Sequence, residues 1–201
     1  MSVPTGRAFI NVDSHGENAI VVVAGANAQV GVEDNFFIPH SRVVLAQLEV
    51  PLETIEMAFT QARNNGAVTV LNPAPARDIP QTLLALANIV VPNETESAAI
   101  GGTKNLLNLG VATVVTTLGA DGASINTASS TTHIEPHKVT PIDTVGAGDA
   151  FIGATCAELS RGASIEDAAR MGAIAGALAT TVKGAVPSLP TREAVLAAQK
   201  S

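Results

Sequence analysis

The sequence lacks tryptophan and tyrosine, contains one cysteine, and has few aromatic or charged residues among its 201 positions. Aromatic residues make up 2%, which argues against the stacking platforms that bind single-stranded nucleic acids. The 11 Lys and Arg residues against 18 Asp and Glu residues give a formal net charge of −7, which disfavours binding to a nucleic-acid phosphate backbone. The single cysteine, Cys156, excludes an intrachain disulfide framework, and its small neighbours on a predicted helix identify it as a core residue.

Long apolar runs are also missing from the sequence. No run approaches the roughly 18 residues that cross a bilayer, and the first residues lack the basic and apolar regions of a signal peptide. Together with the lone cysteine, these absences predict a soluble protein of a reducing compartment, the cytoplasm. Hydrophobic residues are nevertheless abundant, at 46% against 14% charged, so the chain can bury a large core. Its length fits one domain.

Strand-like and helix-like segments alternate along most of the chain. Apolar or β-branched runs typical of buried strands occupy residues 43–48, 68–71, 89–91 and 111–117. Helices are predicted over residues 51–65, 83–87, 147–160, 165–182 and 192–200. A hairpin is predicted from residues 7–12 and 19–23, and antiparallel strands from residues 124–128 and 132–139. This alternation predicts a single α/β sandwich around a mostly parallel sheet.

The most informative segment is the run Asp-Thr-Val-Gly-Ala-Gly-Asp-Ala-Phe at residues 143–151. Its glycines allow close approach of the backbone, and the residues that follow predict the first turn of a helix, whose free amides and dipole attract anions. An acid there, Asp149, can accept a proton while the amides stabilise negative charge, which suits phosphoryl transfer to an alcohol. The residues fit equally well a glycine-rich helix start with an aspartate as cap.

This segment resembles the C-terminal signature of the ribokinase, or PfkB-type carbohydrate kinase, family. Further similar blocks occupy residues 16–18, 24–27, 71–77, 92–96, 117–122 and 183–188, in the family's order. The resemblance implies a three-layer αβα sandwich of the ribokinase-like, Rossmann-like type, with residues 7–27 as a remnant of the lid strands and residues 40–201 as the nucleotide-binding core. It also implies an ATP-dependent kinase that phosphorylates the terminal hydroxyl of D-ribose. A related fructose or nucleoside kinase is an alternative.

The resemblance also assigns roles at the reacting centre. Asp149 matches the general base that deprotonates the bound sugar, and the amides of Gly146, Ala147 and Gly148 match the anion hole over the transferring phosphate. Glu49 matches an acid that accepts a hydrogen bond from a sugar hydroxyl. From the sequence pattern alone, Glu49 is an ordinary exposed acid at the end of a strand.

ATP with Mg²⁺ is the implied cofactor. Asn93 and Glu96 match an element near the triphosphate, where Glu96 would act on Mg²⁺ through water, although their spacing equally predicts a capping box. Asn93 and Gly148 also match residues that bind the nucleotide. The other matched nucleotide-binding residues are one on a predicted helix, Ala173, and those of a turn: Thr117, Leu118, Gly119, Ala120, Asp121 and Gly122. Ala173 stands where the family often has a polar residue, so any contact with adenine there would be apolar.

A monovalent cation, K⁺, is implied as an activator beside the anion hole. The matched positions, most of them contributing backbone carbonyls, are Asp143, Val145, Ala179, Val182, Gly184 and Ser188. The sequence pattern alone predicts helix packing for Ala179 and Val182 and a helix C-cap for Gly184. The four histidines, His15, His40, His133 and His137, show no metal-ligand spacing and are assigned no chemistry.

The match departs from the family in two further places. The family's N-terminal part, with its opening strands and part of the lid, has no counterpart here, so the sequence predicts an N-terminally truncated form. A sheet without those strands has an exposed edge, which predicts self-association or a covering partner chain. A catalytically inert homologue that binds nucleotide or acts as an interaction subunit is the alternative function. In residues 97–110, Gly101 and Gly102 stand where a helix is expected, which predicts a missing or trimmed helix.

Overall fold

Two β-sheets organise the computed structural model, which describes residues 3–12, 18–31 and 37–200. An antiparallel hairpin is formed by β1 (Arg7–Val12) and β2 (Asn18–Val23). The second sheet contains six strands in chain order, namely β3 (Val43–Ala46), β4 (Val68–Leu71), β5 (Ile89–Val90), β6 (Thr113–Thr117), β7 (Ala123–Asn126) and β8 (Thr131–Ile134). Strands β3 to β6 run parallel, and β7 and β8 add antiparallel pairs at one edge.

Eight helices accompany the strands in the described residues. They are α1 (Leu52–Asn64), α2 (Gln81–Leu86), α3 (Glu94–Ala99), α4 (Gly102–Asn108), α5 (Ala147–Ser160), α6 (Ile165–Ala179), the single turn α7 (Ala185–Ser188) and α8 (Arg192–Ala198). Two 3₁₀ turns cover Gly25–Gln29 and Gly119–Asp121. Across the part of the chain that the structure describes, none of the helices has the length and hydropathy to cross a membrane.

Helices cover both faces of the six-stranded sheet, because neighbouring residues of each strand point to opposite sides. In β4, Leu71 packs with residues of α1, α2 and α4, whereas Val70 packs with residues of α5 and α6. In β6, Val114 and Val115 divide in the same way. All four side chains are fully buried, and each contributes about 1.5–3 kcal/mol by leaving water. The predicted three-layer αβα sandwich with a mostly parallel sheet is confirmed.

The predicted pairing of β1 and β2 as a hairpin is confirmed. The connection between the two strands lies outside the described residues, and so do residues 16 and 17 of the block at residues 16–18 that resembles the family. The register of the hairpin pairs Phe9 with Val21 and places Val23 on the same face. These three side chains are all more than half exposed. The assignment of residues 7–27 to a lid, separate from a core of residues 40–201, stays a prediction.

Helices α3 and α4 occupy the segment where the sequence predicted a missing or trimmed helix. The break between them lies at Gly101, whose φ of 91° is in the left-handed region, followed by Gly102 at 83°. A Cβ on Gly101 would lie 2.7 Å from the side-chain nitrogen of Asn105, so glycine suits this position in two ways. The segment is therefore interrupted and continues as a second short helix.

Helices α5 and α6 pack closely because two glycines of α6 face α5. A Cβ on Gly172 would lie 2.2 Å from the hydroxyl of Thr155, and one on Gly176 would lie 3.1 Å from the carbonyl oxygen of Ala147. Ala147 is the first residue of α5. The packing of α6 therefore fixes the position of the start of α5.

Glu158, near the end of α5, anchors α8 through an ion pair between its own largely buried side chain and the exposed Arg192. Its carboxylate accepts hydrogen bonds from Arg192 at 2.7 and 3.3 Å and lies 3.5 Å from Arg161. The hydrogen bond from Arg192 is the main cause that lowers the pKa of Glu158, opposed by partial desolvation and aided by the charges of Arg192 and Arg161. The ionised form of Glu158 therefore stabilises the fold.

Replacing Glu158 with Gln is expected to lower the thermal unfolding temperature at neutral pH by a few degrees, because Arg192 loses its partner. Because folding lowers the pKa of Glu158 from its ordinary value of 4.5, the ion pair stabilises the folded state at pH values above 4.5. This stability is lost as the pH falls through the pKa of the folded state. The difference between variant and wild type should thus disappear in strong acid, as followed by circular dichroism. Glu135→Gln at an exposed position is the control, and a pH-independent deficit would contradict this account.

Candidate functional site

The residues with predicted roles cluster at one edge of the sheet. Glu49 follows β3, Asn93 follows β5, and Thr117 ends β6, all at the carboxyl ends of parallel strands, where open α/β sheets bind ligands. Asn93 and Thr117 form an isolated parallel bridge, and the amide of Thr117 donates to the carbonyl of Pro92 at 2.9 Å. Asn93 and Thr117 are therefore brought together. Glu49 is exposed, and its amide donates to the side chain of Gln47 at 2.8 Å.

Helix α5 begins at this edge with the predicted glycine-rich turn. Gly146 is its N-cap, with a φ of 83°, and a Cβ there would lie 3.2 Å from the Cα of Ala185. The first intrahelical carbonyl is that of Gly146, which accepts from Ala150 at 2.9 Å. Gly148 and Asp149 are the second and third residues of α5. Their amides therefore have no carbonyl acceptor within the helix. The amide of Ala147 donates to the carbonyl of Thr144 at 3.2 Å.

Asp149 occupies the third position of α5 and is exposed. Its carboxylate is on the turn whose neighbouring residues, Ala147 and Gly148, line a cleft. The prediction that Asp149 lies at a helix start beside a cavity therefore agrees with the geometry.

The carboxylate of Asp143 joins the two loops that flank the start of α5. It accepts hydrogen bonds from the amides of Val145 at 3.0 Å and Gly184 at 2.8 Å. These bonds, that from Gly184 first, hold the pKa of Asp143 below its usual range, with the charge of Lys183 adding and desolvation opposing. The amides of Ile142 and Asp143 donate to the carbonyl of Thr180 at 2.7 and 3.0 Å. Residues 142–146 are thus tied to the end of α6 and to the 184 turn.

The cleft beside α5 has a volume of about 570 Å³. The first turns of α5 and the middle of α6 form one wall, the turn after β6 forms a second, and residues 136–141 form a third. The predicted residues that line it are Thr117, Gly119, Ala120, Gly122, Ala147, Gly148 and Ala173. Leu118 and Asp121 belong to the same turn without lining the cleft, and Glu49, Asn93 and Asp149 lie outside the lining.

The turn after β6 has its shape fixed by hydrogen bonds and by one glycine. The amide of Leu118 donates to the carbonyl of Gly122 at 2.9 Å, and that of Asp121 donates to the carbonyl of Leu118 at 3.0 Å. Gly122 has a φ of 84°, and a Cβ there would lie only 2.1 Å from the carbonyl oxygen of Ile134. Gly119, with a φ of 57°, has nothing within 4 Å of such an atom and faces the cleft.

Asn93 and Glu96 form the capping box that their spacing predicted. The side chain of Asn93 accepts from the amide of Glu96 at 2.7 Å, and Glu96 Oε2 accepts from the amide of Asn93 at 2.9 Å. Within residues 3–12, 18–31 and 37–200, no group of three or more His, Cys, Asp or Glu residues could hold a metal ion. A divalent ion near Glu96 would therefore depend on ligand phosphates and water for most of its coordination.

Hydrogen bonds link several of the residues predicted to hold a monovalent ion. Hydrogen bonds connect Asp143 with Val145 and Gly184. The carbonyl of Ala179 accepts from the amide of Val182 at 3.4 Å, at the end of α6. Ser188 is buried, and its hydroxyl donates to the carbonyl of Ala185 at 2.7 Å.

The wall formed by residues 136–141 was missed by sequence reasoning. It contains His137 and Lys138, to which no chemistry had been assigned, together with Pro136, Val139 and Pro141. Alternation predicted that the last strand continues to residue 139, but β8 ends at Ile134, and Pro136 has no amide N–H with which to extend the pairing. Its position immediately before the motif at residues 143–151 is the one feature that could have indicated a place beside α5.

Comparison with known proteins adds three kinds of similarity. The pattern of the pfkB family carbohydrate kinases matches residues 2–192. The chain is 41% identical over 208 residues to a Staphylococcus aureus ribokinase, and the match covers 95% of this chain and 68% of that protein. It is 37% identical to a Haemophilus influenzae ribokinase, and that match covers 96% of this chain and 68% of the relative. Among solved structures, a Thermotoga maritima ribokinase has a TM-score of 0.89 at 34% identity, covering 100% of this chain and 71% of that one. A ribokinase of Arabidopsis thaliana, complexed with ribose and ATP, has a TM-score of 0.85 at 29% identity, covering 99% and 70%.

Gly122→Ala is expected to destabilise the protein more than Gly110→Ala, although both glycines have positive φ. Left-handed backbone alone costs about 1–2 kcal/mol for alanine, and this is the expected cost at Gly110, where nothing lies within 4 Å of the new Cβ. The clash with Ile134 adds to that cost at Gly122. Urea unfolding measures both values, and equal losses would show that the turn relaxes without cost.

Proposed function

The chain belongs to the pfkB family of carbohydrate kinases, which are ATP-dependent, and on that premise we propose that it transfers the γ-phosphate of ATP to the terminal hydroxyl of D-ribose. The similarity to several ribokinases supports ribose as the sugar. The observation that carries the proposal is the place of Asp149 in the first turn of α5, beside the cleft. A related fructose or nucleoside kinase would use the same turn and differ in the sugar pocket.

Asp149 would act as the general base. As the sugar hydroxyl attacks, its O–H proton passes to the Asp149 carboxylate, a bond forms between that oxygen and the γ-phosphorus, and the bond from phosphorus to the β-phosphate oxygen breaks to release ADP. The amides of Gly146, Ala147 and Gly148 are the proposed anion hole. Gly148 is the best placed of the three, because Gly146 does not line the cleft and Ala147 already donates to Thr144. Glu49 is proposed to accept a hydrogen bond from the sugar.

The cleft is proposed to hold the nucleotide. The turn of residues 117–122 and Asn93 would contact it from the strand ends, and Gly148 from the start of α5. Ala173 would offer the adenine ring an apolar surface, in agreement with its small neighbours Gly176 and Ala177 on the same wall.

Two ions are proposed beside these residues. Glu96 fits an Mg²⁺ ion held through water, since one carboxylate oxygen accepts from Asn93 and the other is free of that bond. Asp143 and Val145, with Ala179, Val182, Gly184 and Ser188, would surround K⁺, mainly through carbonyl oxygens, a donor set that suits a hard cation. When bound, such cations neutralise charge on the phosphates, while the protein residues hold the loops in place.

Asp149→Asn is expected to abolish turnover while leaving ATP affinity within about twofold, because the amide removes the base and keeps the size of the side chain. Production of ADP with ribose, ATP, Mg²⁺ and K⁺ measures turnover, and calorimetry measures binding. Asp167→Asn is the matched control, since Asp167 occupies the same third position in α6, away from the cleft. Retained turnover in Asp149→Asn would remove this residue from the mechanism.

A nucleotide-binding protein without kinase activity is the second candidate function. The chain spans about two thirds of the length of the ribokinases it matches, and Glu49 is the one sugar-contacting residue predicted for it besides Asp149. In that case ATP would bind to the wild type, and no ribose concentration would produce ADP above background.

We also propose that the outer edge of β3 pairs with a second copy of this chain. Val68 and Asn72 donate to the carbonyls of Arg42 and Ala46, both at 2.9 Å, so the intervening Val43 and Leu45 direct their backbone groups away from β4. Among the described residues, no strand pairs with this edge, and Leu45 is 43% exposed. Antiparallel pairing of β3 with its copy would satisfy both edges about a two-fold axis.

The purified chain is expected to form dimers that dissociate on dilution, as measured by light scattering. Leu45→Lys should shift the chain toward monomers, because a lysine on an edge strand disfavours pairing. Leu189→Lys, at a similarly exposed leucine outside the sheet, is the control and should leave the dimer unchanged. A monodisperse wild-type monomer at high concentration would contradict the proposal.

A further inference from the structure

One lysine lies in the wall of a cleft that contains no other permanent charge. Of the residues that line the cleft, only His137 and Lys138 can ionise, and none carries a carboxylate. The remaining lining is made of glycine, alanine, proline, valine, phenylalanine and threonine. A cation in such surroundings has no acidic neighbour within the cleft to neutralise it.

The ion pairs of the described residues do not involve Lys138. They join Glu158 with Arg161 and Arg192, Asp167 with Arg170, and Glu135 with His133. Lys138 is exposed, so its three N–H donors are free to meet a ligand within the cleft.

A second source of positive potential faces the same space. Gly148, in the first turn of α5, lines the cleft together with Lys138. Helix α5 has 14 residues, so its N-terminus presents unpaired amides and a partial positive charge. The chain as a whole has a formal net charge of −7 and repels anions, which increases the importance of a local cation.

The geometry points to Lys138 as a further nucleotide-binding residue, one that contacts phosphate oxygens of a nucleotide whose base lies on the apolar wall. This inference rests on the proposed function and makes it more specific: Lys138 selects nucleoside di- and triphosphates over the uncharged nucleoside. Phosphate is the favoured partner because lysine donates without accepting, and its charge-assisted bonds to anionic oxygens are stronger than those to the neutral acceptors of a base or sugar.

The decisive variant is Lys138→Met, which keeps an unbranched apolar chain of similar length and removes the charge. Calorimetry with ATP, ADP and adenosine is expected to show about tenfold weaker binding of ATP and ADP and an unchanged affinity for adenosine. The salt dependence of ATP binding should also decrease, since one phosphate contact is lost. Lys104→Met on α4, which changes the net charge equally at an exposed site outside the cleft, should bind all three ligands like the wild type.

Three outcomes would overturn the inference. An unchanged affinity of Lys138→Met for ATP and ADP would show that the ammonium group makes no phosphate contact. An equal loss for adenosine would assign Lys138 to packing against the base or sugar. A wild-type chain that binds adenosine but neither nucleotide would remove the anion site altogether. Absence of catalytic turnover with normal selectivity in binding would, in contrast, contradict the kinase proposal and leave the role of Lys138 intact.

Discussion

The carboxylate of Asp143 is the interaction on which the geometry of the site depends. By accepting from the amides of Val145 and Gly184, it joins two loops that are about 40 residues apart in sequence. The carbonyl of Thr180 adds two bonds to the same region from the end of α6. The glycine-rich turn at Gly146 can therefore hold its left-handed conformation against Ala185, and the amides that follow keep one direction. Without this connection, the loop that leads into α5 would lose its link to the turn at Gly184.

The parallel sheet supplies the other half of the arrangement. Since β3 to β6 run in one direction, every polar residue that follows one of these strands is delivered to the same edge. The capping box of Asn93 and Glu96 and the turn that begins at Thr117 are brought into proximity in this way, although more than 20 residues of sequence separate them. The fold thus places conformationally restrained polar groups opposite the start of α5.

Much of this organisation could be predicted from the sequence, because the strands of the parallel sheet are short apolar runs and α5 begins directly after Gly146. The predicted limits of α5, residues 147–160, agree with the structure. Helix α6 ends at Ala179, three residues earlier than predicted. The amides of Thr181 and Val182 donate to carbonyls only three residues back, and the carbonyl of Thr180 accepts from Ile142 and Asp143 instead of continuing the helix. The wall at His137 and Lys138 was predicted as the end of a strand, and its place beside the cleft depends on long-range packing that alternation does not reveal. The family resemblance supplied the site roles, whereas spacing alone left Asn93 and Glu96 as a capping pair.

The close contact between α5 and α6 at Gly172 and Gly176 has a mechanical consequence. Two helices that meet at backbone distance have no side-chain layer that could slide or tilt, so the first turn of α5 and the apolar wall on α6 behave as one rigid block. Any widening or narrowing of the cleft must then come from its other two sides, the turn after β6 and residues 136–141. The structure thus divides the cleft into a half in which the start of α5 and the wall on α6 are held together and a half made of the turn after β6 and residues 136–141.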